Sequence, residues 1–486
     1  MSRFLFLALI FSSLFSFSQF EEDDHRIPNQ FIVMLKPTLQ PEIFLKDFSS
    51  LKINRCLSKS MNIWLFESNS STDENFIFHL QRSTHVKLAQ FNHRIQQRSL
   101  VPNDPSFNLE WNMQNTGQTG GVPGADIDAT DAWDINHNNL TINDDTIVIA
   151  MIDGTFDTLH KDLNFFVNYN EVPHNAIDDD GNGYIDDYYG WNVYDTTGNV
   201  HGTFTDPHSM HISGIAGAIG SNNIGIAGVC WGVKILRVAG SSSLESEVVA
   251  AYDYVLSMRR LYDNSFGTKG AFVVATNSSF GVGNFGGNPI NYPIWCAMYD
   301  SLGAYGILSA GAAPNANVDV DVVHDVPTEC PSKWFIGVTN TMSTDIKNGS
   351  AAYGKISVDL GAPGYQIYST IANDTFGYSS GTSMATPHVT GAIAAMYAAA
   401  CKPFIDRYYT RPDSMAFLVK QYLLDGAEWN SSLNNITVTN GRLNLFRAVT
   451  NMKKFNCDSC NFNIQINSMP VMCKGNHDGA MAVVVD

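Results

Sequence analysis

The chain has 486 residues, of which 44% are hydrophobic and 38 are glycine. This is too long for one ordinary domain and predicts a globular protein of about two to four units. The formal net charge is −18 and lysine plus arginine number only 29, which argues against nucleic acid and anionic membrane surfaces as partners. An acidic surface that is solvated or holds cations is the simpler interpretation.

Residues 1–18 have the pattern of a secretory signal peptide. Arg3 supplies the positive charge, residues 4–15 the apolar run, and residues 16–18 the small residues typical of a cleavage site. No other stretch reaches about 18 uninterrupted apolar residues, so the sequence predicts no membrane span. We expect a protein that is secreted or held at the cell surface, where disulfide bonds are permissible.

The cysteines are too widely spaced for a dense disulfide scaffold or a zinc ribbon. Cys457 and Cys460 form a CxxC pair, but a second such pair is missing, so a metal role is the weaker interpretation. A Cys296–Cys330 bridge is expected, although spacing does not fix the pairing. The other cysteines are Cys56, Cys230, Cys401 and Cys473.

Residues 19–100 differ in composition from the rest of the chain and predict a small α+β unit. Apolar periodicity indicates strands at 30–36 and 62–66 and helices at 41–48 and 74–83. A polar link between Arg98 and Pro105 follows this unit.

From Asp145 onward, short apolar runs alternate with helical segments, which is typical of a parallel α/β sheet. The first buried strand, 146–152, ends at Asp153. Functional groups in open α/β sheets gather at the carboxyl ends of strands, so Asp153 is a candidate catalytic carboxylate, although aspartate is also common in turns. Further strands are predicted at 231–238, 271–276, 305–311, 334–339 and 356–360, and helices at 245–261, 413–424 and 443–452.

An acidic loop at residues 178–187 follows the opening of an EF-hand-like calcium loop. Hard oxygen ligands favour calcium over zinc. The glutamate that closes an EF-hand is replaced by Tyr189, so Asp186 or Asp187 would have to complete the shell. An acidic turn without metal is the alternative. The predicted ligands are the side chains of Asp178, Asp180 and Asn182, the carbonyl of Tyr184, and Asp186 or Asp187.

Two histidine segments follow the acidic loop and offer candidate general bases. One is His201-Gly202-Thr203, and the other is His208-Ser209-Met210-His211-Ile212-Ser213-Gly214. A metal site formed by His208 and His211 is the weaker interpretation of the second segment.

The most informative stretch is Gly381-Thr382-Ser383-Met384-Ala385-Thr386-Pro387-His388-Val389. Ser383 lies where a turn-prone segment passes into an alanine-rich helix. Unpaired N–H groups and the positive end of the helix dipole stabilise negative charge on a substrate oxygen there. Ser383 is therefore a candidate nucleophile, and a serine that only caps the helix is the alternative.

This nonapeptide resembles the nucleophile motif of the subtilisin-like serine proteases, the subtilase family, at almost every position. Residues 153–163 resemble the aspartate motif of that family, except that Asp-Thr-Gly becomes Asp153-Gly154-Thr155. The family pattern His-Gly-Thr-His-Val-Ala-Gly leads to a glycine-rich turn, which here opens at Asn222. Counting back from that turn favours His208 over His201 as the catalytic imidazole. The pattern's Gly-Thr is then replaced by Ser209 and Met210, and Met210 is expected to crowd the site.

The resemblance implies a three-layer α/β fold around a central, mostly parallel sheet at residues 101–455. It also implies that residues 19–100 are an inhibitory prodomain, which aids folding and is then removed. An ordinary accessory domain is the alternative. Residues 277–281 resemble the family's substrate-pairing segment, which assigns Asn277, Ser279 and Gly281 to substrate binding.

The resemblance further implies an oxyanion asparagine directly after Gly311, where this chain has Ala312. The nearest carboxamide is Asn315. Either Asn315 serves the oxyanion hole or that donor is missing, which would cost on the order of 10²–10³ in turnover.

Residues 456–486 resemble the start of the Cys-x-Gly-x-x-(Asn/Asp)-Gly-x-Ala β-repeats of adhesin-like surface proteins. The similar residues begin at Cys473-Lys474-Gly475 and run into an apolar strand ending at Val485.

Asp153, His208 and Ser383 follow the chain order of subtilisin. We therefore expect a secreted serine endopeptidase that works through an acyl-enzyme. Calcium is its expected structural cofactor, and protein or peptide substrates and its own prodomain are its expected partners. The alternative is a catalytically degenerate protein of the same fold that acts in binding or as a surface component.

Overall fold

A computed structural model describes residues 26–69, 74–93, 100–201, 205–240, 244–283, 285–457, 464–469 and 480–485. The chain divides into two compact units, residues 1–98 and 99–486. The predicted signal peptide, the start of the polar link after Arg98, Cys460 and Cys473 lie outside the described residues.

The first unit is a four-stranded antiparallel sheet with two helices, in the strand order β2-β3-β1-β4. Alternate residues of β1, Phe31, Val33 and Leu35, are buried, as the two-residue period of a strand requires. They share one core with Phe44 and Leu80 of the helices. The elements are β1 (Arg26–Leu35), α1 (Pro41–Phe44), β2 (Leu51–Ser58), β3 (Ile63–Ser68), α2 (Glu74–Arg82) and β4 (Val86–His93).

The second unit contains a sheet surrounded by helices. The first strand of that sheet in chain order ends at the predicted aspartate. Its first elements are α3 (Ala129–Ile135), β5 (Ile147–Asp153), β6 (Trp191–Asn192), α4 (Pro207–Gly217), β7 (Lys234–Ala239), α5 (Glu245–Asn264), β8 (Phe272–Ser278), α6 (Pro293–Ala304), β9 (Leu308–Ala312) and α7 (Val320–Val323). The remainder are β10 (Phe335–Thr341), β11 (Leu360–Pro363), β12 (Ile367–Ile371), β13 (Thr375–Ser379), α8 (Thr382–Ala398), α9 (Lys402–Thr410), α10 (Pro412–Gly426), β14 (Glu428–Trp429), β15 (Gly441–Arg442), α11 (Leu445–Asn451), β16 (Ile464–Met469) and β17 (Ala480–Val485).

The central sheet has nine strands in the order β14-β15-β11-β10-β9-β8-β5-β7-β6. All its neighbouring strands run parallel except β14 and β15. β5 is buried along its whole length. Its residues Ile147, Ile149 and Met151 join the core that contains α4 and α8, whereas Val148, Ala150 and Ile152 join the core that contains α5 and α6. This alternation produces three layers, which confirms the predicted fold class.

Helix α8 runs through the first of these cores and contacts β5, β8, β9, β10 and β11. Every residue of the helix is buried except Ser383. Because α8 begins at Thr382, Pro387 lies in its second turn. The one residue of the helix that is not fully buried is thus the predicted nucleophile, which is half-buried.

Two disulfide bridges link elements of the second unit. Cys296 of α6 is bonded to Cys330, which confirms the expected pairing, and Cys401 is bonded to Cys457. The second bridge gives Cys457 a structural partner outside the CxxC pair. Cys56 and Cys230 are unbonded.

Strands β16 and β17 pair antiparallel, with Ile464 opposite Val485. The predicted repeat covers β17, but its Cys-x-Gly segment lies outside the described residues. Within the described ranges, no helix combines the length and the apolar character that a membrane crossing needs.

Candidate active site

The predicted aspartate and serine segments meet at the carboxyl edge of the central sheet. β5 and β8 are parallel neighbours in which Ile152 pairs with Ser278, so Asp153 and Ser279 leave the sheet side by side. Asp153 contacts His208 in the first turn of α4, and Ser279 contacts Ser383 in the first turn of α8. The sheet therefore brings the starts of both helices to adjacent strand ends.

Helices α4 and α8 also pack directly on each other. A Cβ atom at Gly391 of α8 would lie 2.8 Å from the carbonyl oxygen of Ala216 in α4, so only glycine permits this approach. The contact lies the same number of residues after His208 in α4 as it lies after Ser383 in α8. The contact therefore helps to hold both first turns in the same neighbourhood.

The His208 ring is paired with Asp153. Its Nδ1 lies 3.0 Å from both carboxylate oxygens, and about a third of the His208 side chain is exposed against 6% for Asp153. Burial lowers the pKa of His208, but the charge and hydrogen bond of Asp153, together with the charge of Asp206, outweigh burial and raise it. Nδ1 is thus the protonated nitrogen, and Nε2 is left to act as a base.

Asp206 is a functional neighbour that the sequence reading missed. It caps α4 by accepting the His208 N–H at 2.8 Å, and Pro207 occupies the first helical position. A Cβ atom at Gly154 would lie 2.2 Å from an Asp206 carboxylate oxygen. The departure from Asp-Thr-Gly therefore makes room for the cap, and an Asp-Pro pair before a helix is the signal that could have revealed it.

Met210 does not crowd the site, contrary to expectation. Its side chain is fully buried in the core beside α8, and its sulfur accepts the Asp157 N–H at 3.2 Å. The neighbouring Ser209 hydroxyl donates to the carbonyls of Thr155 and Asp206. Both replacements thus serve the packing of α4 and leave the cleft free.

His201 lies outside this arrangement. The residue is exposed, and its Nδ1 lies 3.0 Å from the carbonyl oxygen of Phe156. Asp153 is paired with His208 instead. Residues 202–204, which complete the His-Gly-Thr letters, lie outside the described residues.

Ser383 is held by a reciprocal contact with Ser279. The Ser383 hydroxyl donates to the Ser279 carbonyl at 3.2 Å, and the Ser279 hydroxyl donates to the Ser383 carbonyl at 2.9 Å. In a regular helix that carbonyl would accept the N–H of residue 387, but Pro387 has none. Among the described hydrogen bonds none joins His208 to Ser383, so the hydroxyl must rotate away from Ser279 to reach the ring.

The carboxamide of Asn315 lies beside the start of α8. Its Oδ1 accepts the Thr382 N–H at 2.9 Å and the Thr382 hydroxyl at 3.1 Å. A backbone N–H can only donate, so this contact fixes the orientation of the amide and leaves Nδ2 as a donor. The loop after β9 thus brings a carboxamide to the nucleophile from three positions later in the chain than the family pattern has it.

The predicted substrate-binding residues divide into two kinds. Asn277 is fully buried and pairs inside the sheet with Met151 and Ala310, so its side chain is not at an exposed edge. Its carboxamide bonds to the hydroxyls of Ser279 and Thr390, which hold it inside the fold.

Ser279 and Gly281, which follow the end of β8, line an open cavity of about 130 Å³ together with Ala312, Asn315 and Ser383. The free edge that an extended peptide could join thus starts beyond the end of β8.

The acidic loop differs from the predicted ligand set. Carboxylate oxygens of Glu171, Asp178 and Asp180 lie within 4.8 Å of one another, and Glu171 had no signal in the sequence. Burial, and repulsion among these carboxylates, raise the pKa values of Glu171 and Asp180. A divalent cation would relieve that repulsion, so these three residues fit a hard ion.

The other predicted ligands are engaged elsewhere. Asp186 accepts the N–H groups of Asn175 and Ala176, and Asp187 accepts the Tyr254 hydroxyl. Burial raises the pKa of Asp187 to about 7. Asn182 and Tyr184 bond to each other, since the Tyr184 N–H donates to Asn182 Oδ1. Glu171 is thus a further candidate ligand beside Asp178 and Asp180, and the completion of the shell by Asp186 or Asp187 stays a prediction from the sequence.

A family model described as the subtilase family, Peptidase S8, matches residues 144–447. Subtilisin-like protease 1 of Plasmodium vivax is 30% identical over 324 residues, which cover 60% of this chain and 45% of the relative. The extracellular basic protease of Dichelobacter nodosus is 26% identical over 333 residues, which cover 63% of this chain and 50% of the relative. The chain thus spans about half the length of these curated relatives.

A solved protease of Pseudoalteromonas arctica superposes with a TM-score of 0.50 and 20% sequence identity, covering 73% of this chain and all of that structure. This likeness supports the fold.

Proposed function

Because the chain belongs to the subtilase family, we propose that it is a serine endopeptidase that hydrolyses peptide bonds with Asp153, His208 and Ser383. The observation that carries this proposal is the His208–Asp153 pair, at 3.0 Å, one strand away from the Ser383–Ser279 contact. A hydroxyl, an imidazole and a carboxylate at neighbouring strand ends are the groups that acyl transfer requires.

In the proposed mechanism the Ser383 hydroxyl turns from Ser279 to His208, gives its proton to Nε2 and attacks the substrate carbonyl. The oxyanion accepts hydrogen bonds from the Ser383 N–H, which lacks an intrahelical partner, and from Asn315 Nδ2. His208 then protonates the leaving amine, and water releases the acyl group by the same route in reverse. Asp153 keeps the ring in the required tautomer and stabilises its charged form.

The test is hydrolysis of an internally quenched peptide by the full chain after any self-processing. Wild type and Ser380→Ala are expected to be active, because the Ser380 side chain only accepts the Gln366 N–H at 2.8 Å. Ser383→Ala is expected to lose activity. A folded wild type without hydrolysis, or an active Ser383→Ala, would contradict the proposal; the first result favours the catalytically degenerate alternative.

We also propose that the first unit is the inhibitory prodomain and that residues 1–18 direct export. The family membership and the extracellular description of the Dichelobacter nodosus relative support this. N-terminal sequencing of secreted protein tests it: wild type is expected to begin between Arg98 and Pro105, and Ser383→Ala is expected to retain the first unit. Equal processing of both would contradict self-removal. The C-terminal repeat stays a prediction from the sequence.

Calcium is the proposed structural cofactor, held by Glu171, Asp178 and Asp180. A bound ion would neutralise charge that these carboxylates otherwise concentrate in one loop. At about 100 times its dissociation constant, calcium should add about 2.7 kcal/mol to the free energy of unfolding. The midpoint of thermal unfolding should therefore rise with calcium in wild type but not in Glu171→Gln/Asp178→Asn, and an equal rise in both would contradict the site.

A further inference from the structure

The cavity beside Ser383 is also lined by a buried acid, Asp325. We propose that Asp325 makes this cavity select lysine or arginine as the residue whose carbonyl is attacked. This inference rests on the proposed peptidase function and adds a substrate class to it. The supporting observations are the position of the cavity, its lining and the incomplete hydrogen bonding of the acid.

The cavity lies on the acyl side of the scissile bond. Asn315 and Ser383, the proposed oxyanion donors, line it, whereas His208 does not. His208 must protonate the leaving amine, so the leaving side of the substrate lies towards that ring. The residue that supplies the carbonyl is therefore the one whose side chain enters the cavity.

The nucleophile and the acid line the same cavity. Its volume of about 130 Å³ suits one side chain, and Gly281, Ala312 and Ala313 leave room for an unbranched stem along the walls. Long aliphatic stems with a charged end, as in lysine and arginine, pack on such walls and place their charge at the far end. Asp325 is only 2% exposed, so a cation that reaches it is desolvated.

The position of Asp325 is fixed by its neighbours. The N–H of Val282 donates to the Val326 carbonyl at 2.8 Å, and the N–H of Gly286 donates to the His324 carbonyl at 2.7 Å. A Cβ atom at Gly281 would lie 2.8 Å from the Val326 carbonyl oxygen. Residues of one loop thus hold the carbonyls on both sides of the acid in the chain, which pre-organises it for a ligand.

One oxygen of the carboxylate is left over. Oδ2 accepts the N–H and the hydroxyl of Thr328. Oδ1 makes no hydrogen bond within the described part of the chain, and no ion pair there involves Asp325. Oδ1 is nevertheless not fully enclosed by protein atoms. It therefore keeps some access to the cavity. A buried carboxylate without a cation is costly, and a substrate cation would remove that cost.

The titratable groups near Asp325 in the described part of the chain do not pair its carboxylate with a cation. Glu329 accepts the Asp325 N–H and lies 2.9 Å from the His324 ring, so His324 is engaged by Glu329. Burial, with repulsion from Glu329, raises the pKa of Asp325 to about 6. Tyr299 is the other titratable group near it. The acid is therefore ionised above about pH 6, and the preference for a basic residue should grow through that range.

A structural role is the competing explanation, because Asp325 also caps the turn that contains Thr328. Asparagine keeps the capping oxygen but removes the charge. Asp325→Asn therefore separates the two roles. Glu329→Gln is the matched control, because it removes an adjacent carboxylate that does not line the cavity.

The experiment measures kcat/KM of the processed full-length enzyme on peptides that differ only in the acyl-side residue, lysine, arginine or norleucine. Wild type and Glu329→Gln are expected to prefer the basic residues over norleucine by about tenfold to a hundredfold. In Asp325→Asn the ratio should fall to within about threefold of unity, with norleucine cleavage retained. In wild type the same ratio should fall from pH 8 to pH 5, and the ionisation of His208 cancels from it.

Hydrolysis with no basic preference, or a preference unchanged in Asp325→Asn, overturns the inference while leaving the peptidase proposal intact. If Asp325→Asn does not fold, the pH dependence of the wild-type ratio decides, and a flat ratio overturns the inference. Absence of any Ser383-dependent hydrolysis contradicts the proposed function, and this inference falls with it.

Discussion

Helices α4 and α8 begin at the same edge of the sheet, but they are fixed there in different ways. α8 follows the family pattern, and Pro387, which belongs to that pattern, frees the Ser383 carbonyl for the Ser279 hydroxyl. α4 departs from the pattern, and its start depends on its own cap, Asp206, and on the distant Gly154, which leaves open the space that Asp206 occupies. The comparison indicates that two compensating substitutions can preserve the position of a side chain even when the sequence around it has changed.

Removing the imidazole tests the α4 side of the comparison most severely. His208→Ala should lower kcat/KM by on the order of 10⁴ or more, because the general base and the Asp153 contact are both lost. His201→Ala is the matched control and should stay within about twofold of wild type, since the residue is exposed and, among the described residues, contacts only the Phe156 carbonyl. Peptide hydrolysis measures both, and the reverse order of effects would assign the base to His201.

The next effect concerns the donor beside α8. Asn315→Ala should lower kcat by on the order of 10²–10³ with little change in KM, because the oxyanion forms only during reaction. Asn317→Ala, which removes an exposed carboxamide from the same loop, should leave both constants near wild type. A loss in Asn315→Ala that appears only in KM would argue for a role in substrate binding instead.

Restoring the family's threonine at position 154 should disrupt the start of α4 and should not improve activity. Gly154→Thr places a side chain against Asp206 and should destabilise the fold by about 1–3 kcal/mol, with a loss of activity from the displaced His208. Asp206→Ala in that background should recover part of the thermal midpoint, although the lost cap costs about 1 kcal/mol by itself. Strictly additive effects of the two substitutions would disprove the coupling.

The smallest expected effect is on the pH dependence of kcat/KM. His208 must be neutral to accept a proton, so kcat/KM should be lost as pH falls through its raised pKa, with a midpoint above about 6.5, the ordinary value for histidine. Asp206→Asn keeps the cap but removes one contribution to that rise. The midpoint should therefore move down, whereas Asp300→Asn, on the exposed side of α6, should leave it unchanged. An upward shift in Asp206→Asn would contradict the assignment.

The sequence predicted the buried parts of the fold better than the exposed ones. β5 and β8 were recognisable as continuous apolar runs because they are buried on both faces. In the first unit β2 and β4 were missed, since they are the edge strands and few of their residues are fully buried. An edge strand that shows one face to solvent carries too few apolar residues for its period to stand out.

The site was predictable where it depends on local sequence and unpredictable where it depends on packing. Ser383 and Asp153 follow from a helix start and a strand end. Other parts of the site depend on contacts with residues that are distant in the chain or lie across a loop, as for Asp206, Glu171 and Asp325. No local sequence pattern marks Glu171 or Asp325. Asn315 is intermediate, because its residue type was suggestive but only its bond to Thr382 gives the carboxamide an orientation.

The central claim is that Ser383 can leave Ser279 and meet His208 between two oxyanion donors. A crystal structure of the processed full-length protein after reaction with a fluorophosphonate tests it most directly. We expect phosphorus bonded to Ser383 Oγ, the phosphoryl oxygen within hydrogen-bond distance of the Ser383 N–H and Asn315 Nδ2, and His208 Nε2 facing the adduct. An unmodified Ser383 still bonded to the Ser279 carbonyl, or an adduct with His208 turned away, would contradict the claim.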